Sequence, residues 1–271
     1  MTIGLRDYPI TMPGSKRQVI ERIYPLLPKL KGDFIVPFFG TGVDSYFLIE
    51  HDHRVVAGEE LGVLVSMHND FVRVHEHAQG WIASRWNAEI YKSAYNDLRV
   101  VYNNKIVDEH TISWIFYLLT RTSFNGLVRH NKAGGFNAPV GTFKANPVCS
   151  VERAAKHAEF INSLVGQRVF CRDYSSYRGT SSDVRYYDPP YLGTFNGYSG
   201  KPFDHDRFFA HLADDCKRGL PWGCSNSPAA RLKFEELGAT VYDLDRRDLM
   251  SMNPKTRKSD KAGEILAVWT P

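Results

Sequence analysis

Asp33-Phe34-Ile35-Val36-Pro37-Phe38-Phe39-Gly40-Thr41-Gly42 is a short apolar run that empties into a glycine pair. Aliphatic and aromatic residues in succession, bounded by a turn, predict a buried strand over 33–39. Val43 to Ile49 then carries helical spacing. A strand, a Gly-x-Gly turn and a helix make the opening unit of a Rossmann-like nucleotide-binding sheet. Glycine there lets the backbone approach a ligand with no Cβ in the way. Ser45 stands where the dinucleotide fingerprint has its third glycine, which argues against NAD. Arg54 to Ala57 reads as the second strand, closed by Gly58-Glu59-Glu60. An acid about 20 residues beyond the glycine turn is placed to accept from ribose hydroxyls. Glu59 is the first choice and Glu60 the spare.

Upstream, Met12-Pro13-Gly14-Ser15-Lys16 precedes a short helix through Val19, Ile20 and Ile23 that Pro25 stops. A Gly-Ser turn beside a lysine offers backbone amides and a cation, a seat for an anion or carboxylate. Taken alone, Ser15 reads more readily as a plain N-cap. Downstream, strands are expected at 167–171, 184–187, 221–225, 240–244 and 264–269, with helices at 204–217 and 231–237. Phe208 and Leu212 mark the packed face of the first of these helices. No element is assigned between Asn146 and Gln167. Asp173-Tyr174, at the end of one strand, pairs an acid with a flat ring and can bond and flank an adenine. Alternating strands and helices give an α/β class with a mixed, mostly parallel sheet and a C-terminal antiparallel hairpin.

Between Leu61 and Asn146 the pattern turns helical, and Ile112 to Leu119 is apolar on every side, as in a buried helix. This divides the chain into a catalytic domain of residues 1–61 and 147–271 and a helical insertion of residues 62–146. The insertion ends in Arg121 to Gly141, RTSFNGLVRHNKAGGFNAPVG, a long loop without regular structure, of the kind that usually carries function. No Asp or Glu falls between His110 and Val151, whereas Arg121, Arg129, Lys132 and Lys144 do. Lys255, Arg257, Lys258 and Lys261 form a second basic run. Such local positive fields suit a polyanion such as double-stranded DNA, with guanidinium, amide and apolar groups at hand for base edges.

Asp188-Pro189-Pro190-Tyr191 follows the strand at 184–187. Two prolines, fixed in φ and lacking N–H, hold a stiff bend. The Asp carboxylate and the first Pro carbonyl can both accept from one exocyclic amine, drawing its lone pair out of ring conjugation. Tyr191 offers a face for stacking. Methylation of a flipped base amine needs these parts. A Pro-rich turn starting with Asp is also common without any such role.

Composition narrows the classes. The chain has 271 residues, 43% hydrophobic and 24% charged, with a net charge of +4, typical of a soluble globular protein. No apolar stretch approaches a membrane span, and Met1 to Ile10 lacks a signal-peptide core. Cys149, Cys171, Cys216 and Cys224 are far apart and read as reduced thiols, without a metal site, in the cytoplasm.

Taken in order, these motifs resemble the Dam-type (D12 class, alpha-group) DNA adenine-N6 methyltransferases along nearly the whole chain. Met12 to Lys16 is similar to the family's N-terminal S-adenosyl-L-methionine motif, and Pro37-Phe38-Phe39-Gly40-Thr41-Gly42 to its methionine-binding turn. Phe124-Asn125-Gly126-Leu127, Arg129, Asn131 and Gly135 to Pro139 resemble its recognition loop. Asp188 to Tyr191 resembles its catalytic motif, and Ser225-Asn226 and Glu264-Ile265-Leu266 have counterparts. The resemblance implies a Rossmann-like, S-adenosyl-L-methionine-dependent core carrying a DNA-recognition insertion. It implies cofactor contacts at Met12, Pro13, Gly14, Lys16, Pro37, Phe38, Phe39, Gly40, Gly42, Glu59, Asp173, Tyr174 and Asp188. It implies catalysis by Asp188, Pro189, Pro190 and Tyr191. Arg121, Asn125, Leu127, Arg129, Asn131, Lys132, Pro139, Lys144, Lys255, Arg257 and Lys258 are expected on DNA. Val36 replaces a usual Glu, Glu59 a usual Asp and Met12 an aromatic. Thr11 and Thr142 stand where the Dam branch often has DNA-contacting Lys and Arg. The target is therefore expected to be GATC-like or a relaxed variant. A free monomer is expected, with more than one copy on DNA allowed. The compact chain suits a phage or restriction–modification setting. An S-adenosyl-L-methionine- and DNA-binding protein with impaired catalysis, or a methyltransferase acting on RNA or a protein amide, are the alternatives.

Overall fold

A computed structural model describes residues 8–10, 12–84, 88–142, 146–177, 179–194, 202–244 and 263–271. In chain order its helices and strands are α1 (Ile20–Ile23), β1 (Phe34–Val36), α2 (Val43–Ile49), β2 (Val55–Glu59), α3 (Gly62–Asn69), α4 (Phe71–Ala83), α5 (Ala88–Asn104) and α6 (Glu109–Thr122). There follow α7 (Val151–Ser163), β3 (Phe170–Cys171), β4 (Val184–Tyr187), α8 (His205–Lys217), β5 (Trp222–Asn226), α9 (Arg231–Glu236), β6 (Thr240–Leu244) and β7 (Glu264–Trp269). The strands are ordered β3-β2-β1-β4-β5-β7-β6 in one sheet. β2 with β3, β1 with β4 and β4 with β5 are parallel, and β7 runs antiparallel to both β5 and β6. The α/β class, the mostly parallel sheet and the terminal antiparallel hairpin are as the sequence leads one to expect.

The chain divides into two compact units. The first holds α2 to α7 with β2 and β3. Its centre is α6, whose residues Ile115 to Leu119 are all essentially inaccessible, and α3, α4 and α5 pack against it. Asp108 caps this helix by accepting from the Thr111 N–H at 3.0 Å. The second unit holds α1, β4 to β7, α8, α9 and the first two residues of β1, which pair as Phe34 with Val184 and Ile35 with Arg185. β4 and β5 are buried at every position. Their polar side chains therefore need internal partners. Tyr186 and Ser225 share a hydroxyl–hydroxyl bond at 2.9 Å, Tyr187 donates to Asp215 at 2.7 Å, and Asp215 lies 3.8 Å from the buried guanidinium of Arg185.

Several boundaries differ from expectation, each for a local reason. β1 ends at Val36 rather than Phe39, because Pro37 has no N–H for the ladder. β2 runs on through Gly58 and Glu59; the Tyr177 hydroxyl fills the space a Cβ on Gly58 would need. β3 is only two residues long, since Gln167 sits in a left-handed turn at φ 56°. Pro25 does not stop the first helix outright but continues it as a 3-10 turn, Tyr24–Leu26. α7 was not anticipated at all. Ser150 caps it, its hydroxyl accepting from the Arg153 N–H at 3.4 Å.

The loop expected to lack regular structure is instead a tied hairpin. Gly141 N–H donates to Thr122, Phe124 N–H to Pro139 and Asn137 N–H to Arg129, with isolated bridges Ser123–Val140 and His130–Phe136 between them. Among the described residues, no helix is long and apolar enough to cross a membrane.

Candidate active site

The glycine turn leaves β1 in the first unit. Gly40 and Gly42 adopt φ of 50° and 78°, conformations that favour glycine. Their surroundings differ. A Cβ on Gly42 would strike the Phe39 ring and the Tyr8 hydroxyl, whereas one on Gly40 would meet nothing within 4 Å. Gly42 is thus a packing requirement, and Gly40 faces open space. Both polar groups of Gly40 are held. Its N–H donates to Glu59 Oε2 at 3.1 Å, and its carbonyl lies 2.9 Å from His68 Nε2. The other Glu59 oxygen accepts from Leu61 N–H at 3.0 Å. One carboxylate therefore straps the turn to the end of β2. Burial raises the Glu59 carboxyl above its ordinary value, against the pull of the Leu61 and Gly40 N–H groups.

His68 in turn meets His157 of α7, Nδ1 to Nε2 at 3.1 Å, both rings being buried. With Nε2–H directed at the Gly40 carbonyl, His68 Nδ1 accepts from His157. Burial lowers His68 to about 4 and His157 well below its ordinary value, so both are neutral at physiological pH. Sequence reading missed this pair. Its only trace was His68 on the helical repeat of Leu61, Leu64 and Val65.

Apart from Asp188, the remaining residues expected at the cofactor fall in the same unit. Met12 is buried and its carbonyl accepts from Ser15 N–H at 3.3 Å, making a tight turn with Gly14 at φ 85°. Pro13 is exposed. Lys16 is 3% exposed and folds back to donate to the Gly14 carbonyl at 3.0 Å. Ser15 and Thr41 hydroxyls stand 3.3 Å apart, bringing this turn to the glycine turn. Pro37 is buried, and Phe38 stacks on Tyr174 with centroids 5.4 Å apart. Asp173 caps the short turn after β3, accepting from Ser175 N–H at 2.9 Å.

Asp188-Pro189-Pro190-Tyr191 emerges from β4 in the second unit, Pro189 buried and Asp188, Pro190 and Tyr191 half-buried. Leu192 is gripped on both sides: its N–H donates to Asn226 Oδ1 at 2.9 Å, and its carbonyl accepts from Ser227 Oγ at 2.6 Å. Tyr191 Oη donates to Glu264 Oε1 at 2.6 Å. Burial, then the charges of Asp188 and Glu264, push the phenol well above its ordinary value, so it remains a donor. The quartet is therefore a braced bend rather than a bare proline turn.

In the tied hairpin the residues expected on DNA help build the loop itself. Arg129 donates from Nε and an Nη to Asn137 Oδ1 and its carbonyl, each at 2.8 Å. Asn131 Oδ1 accepts from the Ala133 and Gly135 N–H groups. Arg121 Nε donates to the Pro147 carbonyl at 2.7 Å. Asn125, Lys132 and Pro139 are exposed and Leu127 is half-buried; Asn125 holds a left-handed φ of 53°. Asn103 of α5 clamps Phe136, accepting from its N–H at 2.7 Å and donating to its carbonyl at 3.1 Å. Lys144, Lys255, Arg257 and Lys258 lie outside the described residues, as does Thr11. Among the described residues, no group of three or more His, Cys, Asp or Glu side chains could hold a metal ion.

The family model of the D12 class N6 adenine-specific DNA methyltransferases matches residues 13–252. A DNA adenine methylase of Vibrio cholerae is 29% identical over 274 residues, covering 95% of this chain and 94% of that protein. The DNA adenine methylase of Escherichia coli K12 is 30% identical over 278 residues, with 95% and 93% covered. The DNA N-6-adenine-methyltransferase of Escherichia phage P1 is 27% identical over 263 residues, 90% of this chain but 33% of the phage protein. With its fold and the Asp-Pro-Pro-Tyr bend after β4, the chain belongs to the D12 class of N6 adenine-specific DNA methyltransferases.

Proposed function

We propose that the chain transfers a methyl group from S-adenosyl-L-methionine to N6 of an adenine swung out of duplex DNA, at a GATC-like or relaxed target, releasing S-adenosyl-L-homocysteine. Residues 62–146 read the target and the remainder forms the catalytic domain. It acts as a free monomer in the cytoplasm, with more than one copy able to occupy one DNA.

The observation that carries this reading is the strapped glycine turn. Gly40 presents open space where a side chain would intrude, beside a carboxylate with acceptor capacity left. A carboxylate offers about four lone-pair sites, and two are taken by Gly40 and Leu61. S-adenosyl-L-methionine fits such a donor set. Met12, Pro13, Gly14, Lys16 and the 37–42 turn would hold its methionine part, Glu59 its ribose, and Asp173 and Tyr174 its adenine. When bound, the cofactor supplies an electrophilic methyl carbon on a sulfonium. Asp188 and the Pro189 carbonyl accept from the N6 amine, localising its lone pair for attack, and the Asp188 carboxylate can take the proton that N6 sheds. Tyr191 stacks on the base. Rotating the base out costs on the order of a few kcal/mol, so positioning and carboxylate–amine electrostatics supply the catalysis. Arg121, Lys132 and the basic residues Lys144, Lys255, Arg257 and Lys258 neutralise phosphates, while Asn125, Leu127, Arg129, Asn131 and Pro139 meet base edges.

The test is incorporation of tritium from methyl-labelled cofactor into duplex DNA. Wild-type protein labels adenine N6, and Asp188→Ala falls by about a hundred- to a thousandfold with cofactor and DNA binding largely kept. Undiminished labelling by that variant removes Asp188 from the chemistry.

A further inference from the structure

Tyr191 is held in the second unit by more than its proline neighbours. Pro189 and Pro190 fix the backbone before it, and Asn226 and Ser227 fix the peptide groups of Leu192 after it. What backbone restraint leaves free is the rotation of the Tyr191 ring about its own two side-chain torsions. Glu264 removes that freedom, accepting the phenol hydrogen at 2.6 Å while itself only 3% exposed. Its position follows from strand register. Glu264 is the first residue of β7, opposite Leu244 of β6, and the next residue, Ile265, pairs with Asn226 of β5. The paired ends of β5 and β7 thus supply one brace for the Leu192 backbone and one for the Tyr191 ring.

We propose that Glu264 is a positioning residue for methyl transfer, holding the Tyr191 ring in the orientation in which it receives the flipped base. This rests on the reading of Tyr191 as the stacking surface. A ring locked before the base arrives loses no rotamer freedom on stacking, and the acceptor that locks it is a charged one, whose hydrogen bonds are the stronger kind. Glu264 acts through Tyr191 and does not itself touch the base.

A double-mutant cycle on the full chain separates this role from a merely structural one. Glu264→Gln, Tyr191→Phe and the double variant are compared with wild type in single-turnover methyl transfer to duplex DNA, beside cofactor affinity by calorimetry. Glu264→Gln is expected to slow transfer by about tenfold or more with cofactor affinity unchanged. Tyr191→Phe, which keeps the ring and loses the hydroxyl, should slow it comparably, and the double variant should be no slower than the worse single one. The proposal is overturned if the two effects multiply, or if Glu264→Gln is as fast as wild type. Should Glu264→Gln not fold, Tyr191→Phe decides alone, since wild-type speed without the hydroxyl leaves Glu264 nothing to position. A wild-type protein that transfers no methyl group refutes the functional reading, and this inference falls with it.

Discussion

Glu59→Gln separates the strap on the glycine turn from the ribose contact assigned to the same carboxylate. Glu59 accepts from Gly40 at 3.1 Å and from Leu61 at 3.0 Å, one N–H on each oxygen. Glutamine keeps the shape but offers one oxygen; its amide nitrogen only donates, so one backbone N–H loses its acceptor. In the ligand-free fold a second effect opposes this loss. Burial raises the carboxyl, so the fold penalises its charged form relative to water. Its stabilising contribution is full below the ordinary value of 4.5 and is lost as pH rises through the raised one. At neutral pH the substitution therefore removes an unfavourable buried charge as well as a hydrogen bond, and the melting temperature should move by only a few degrees, as about 1 kcal/mol does in a domain of this size. For the cofactor both changes have one sign. A charge-assisted bond to a ribose hydroxyl is lost and the turn is less well held, together about 2–3 kcal/mol, or roughly 30- to 150-fold in affinity at about 1.4 kcal/mol per decade. Titration calorimetry with S-adenosyl-L-methionine, beside thermal unfolding of the ligand-free protein, reads both quantities. Unchanged affinity refutes the ribose assignment, and a melting temperature that collapses with the affinity assigns Glu59 to the scaffold instead.

Asn103→Ala removes both bonds that tie Phe136 to α5. Two net hydrogen bonds are worth about 1–3 kcal/mol, so DNA affinity by fluorescence anisotropy should weaken several-fold or more while cofactor affinity stays at the wild-type value; equal DNA affinity would mean that the hairpin holds its shape without α5. The buried histidine pair should make stability pH-dependent in a predictable direction. Both folded pKa values lie below the ordinary 6.5, His68 at about 4, so the unfolded chain takes up protons first. Stability is full above 6.5 and declines as pH falls toward 4, with His53 and His205 adding smaller effects of the same sign. His157→Phe, which keeps an aromatic ring among Phe71, Phe160 and Tyr8, should flatten the melting-temperature profile between pH 7 and 5. A profile parallel to that of wild type would show that His157 does not titrate there.

The fold was legible wherever a segment's own chemistry decided its state. Val184 to Tyr187, Thr240 to Leu244 and Glu264 to Trp269 fall on strands at the expected residues, and Val43 to Ile49 on its helix. Each is a short run, rich in β-branched or aromatic residues in the strands, whose local pattern fixes its state even where burial does not follow it, as at the exposed Tyr242. The misses occur where neighbours decide. Pro37 ends β1 because a ladder needs an N–H there, although the side chains on either side are apolar. α7 escaped because its buried positions are Ala154, His157, Phe160 and Ile161, with Glu and Lys between them. A histidine counts as polar in any hydropathy pattern, yet here it is wholly buried against another histidine. The local signals were the Ser150 cap, the Ala, Glu, Arg and Lys content and the Glu152–Lys156 pair, none of which marks a buried face by itself.

For the candidate site, the residues that carry a motif and the residues that hold it in shape were unequally visible. Gly40, Gly42, Glu59 and Asp188 to Tyr191 could be picked out because they stand at successive strand ends in one order, although each motif alone has other uses. The pairing of their supports could not. His68 reaches Gly40 across 28 positions, Asn226 reaches Leu192 across 34, and Glu264 reaches Tyr191 across 73. Asn226 and Glu264 are marked only by the resemblance, which assigns them no partner, and nothing near His68 in the chain distinguishes it from an ordinary helix residue. Asn103 is the sharpest case, an asparagine near the end of α5 that satisfies both backbone groups of Phe136, 33 positions away. The loop reads as irregular from its glycines and asparagines because side chains outside it and cross-strand bonds within it replace the regular ladder. A sequence lists the groups available to make such bonds, while the pairing depends on the fold that brings strand ends and helix ends together. Positioning residues should therefore be sought among buried polar side chains that bond to the backbone or hydroxyl of a motif, and Glu264 is found that way.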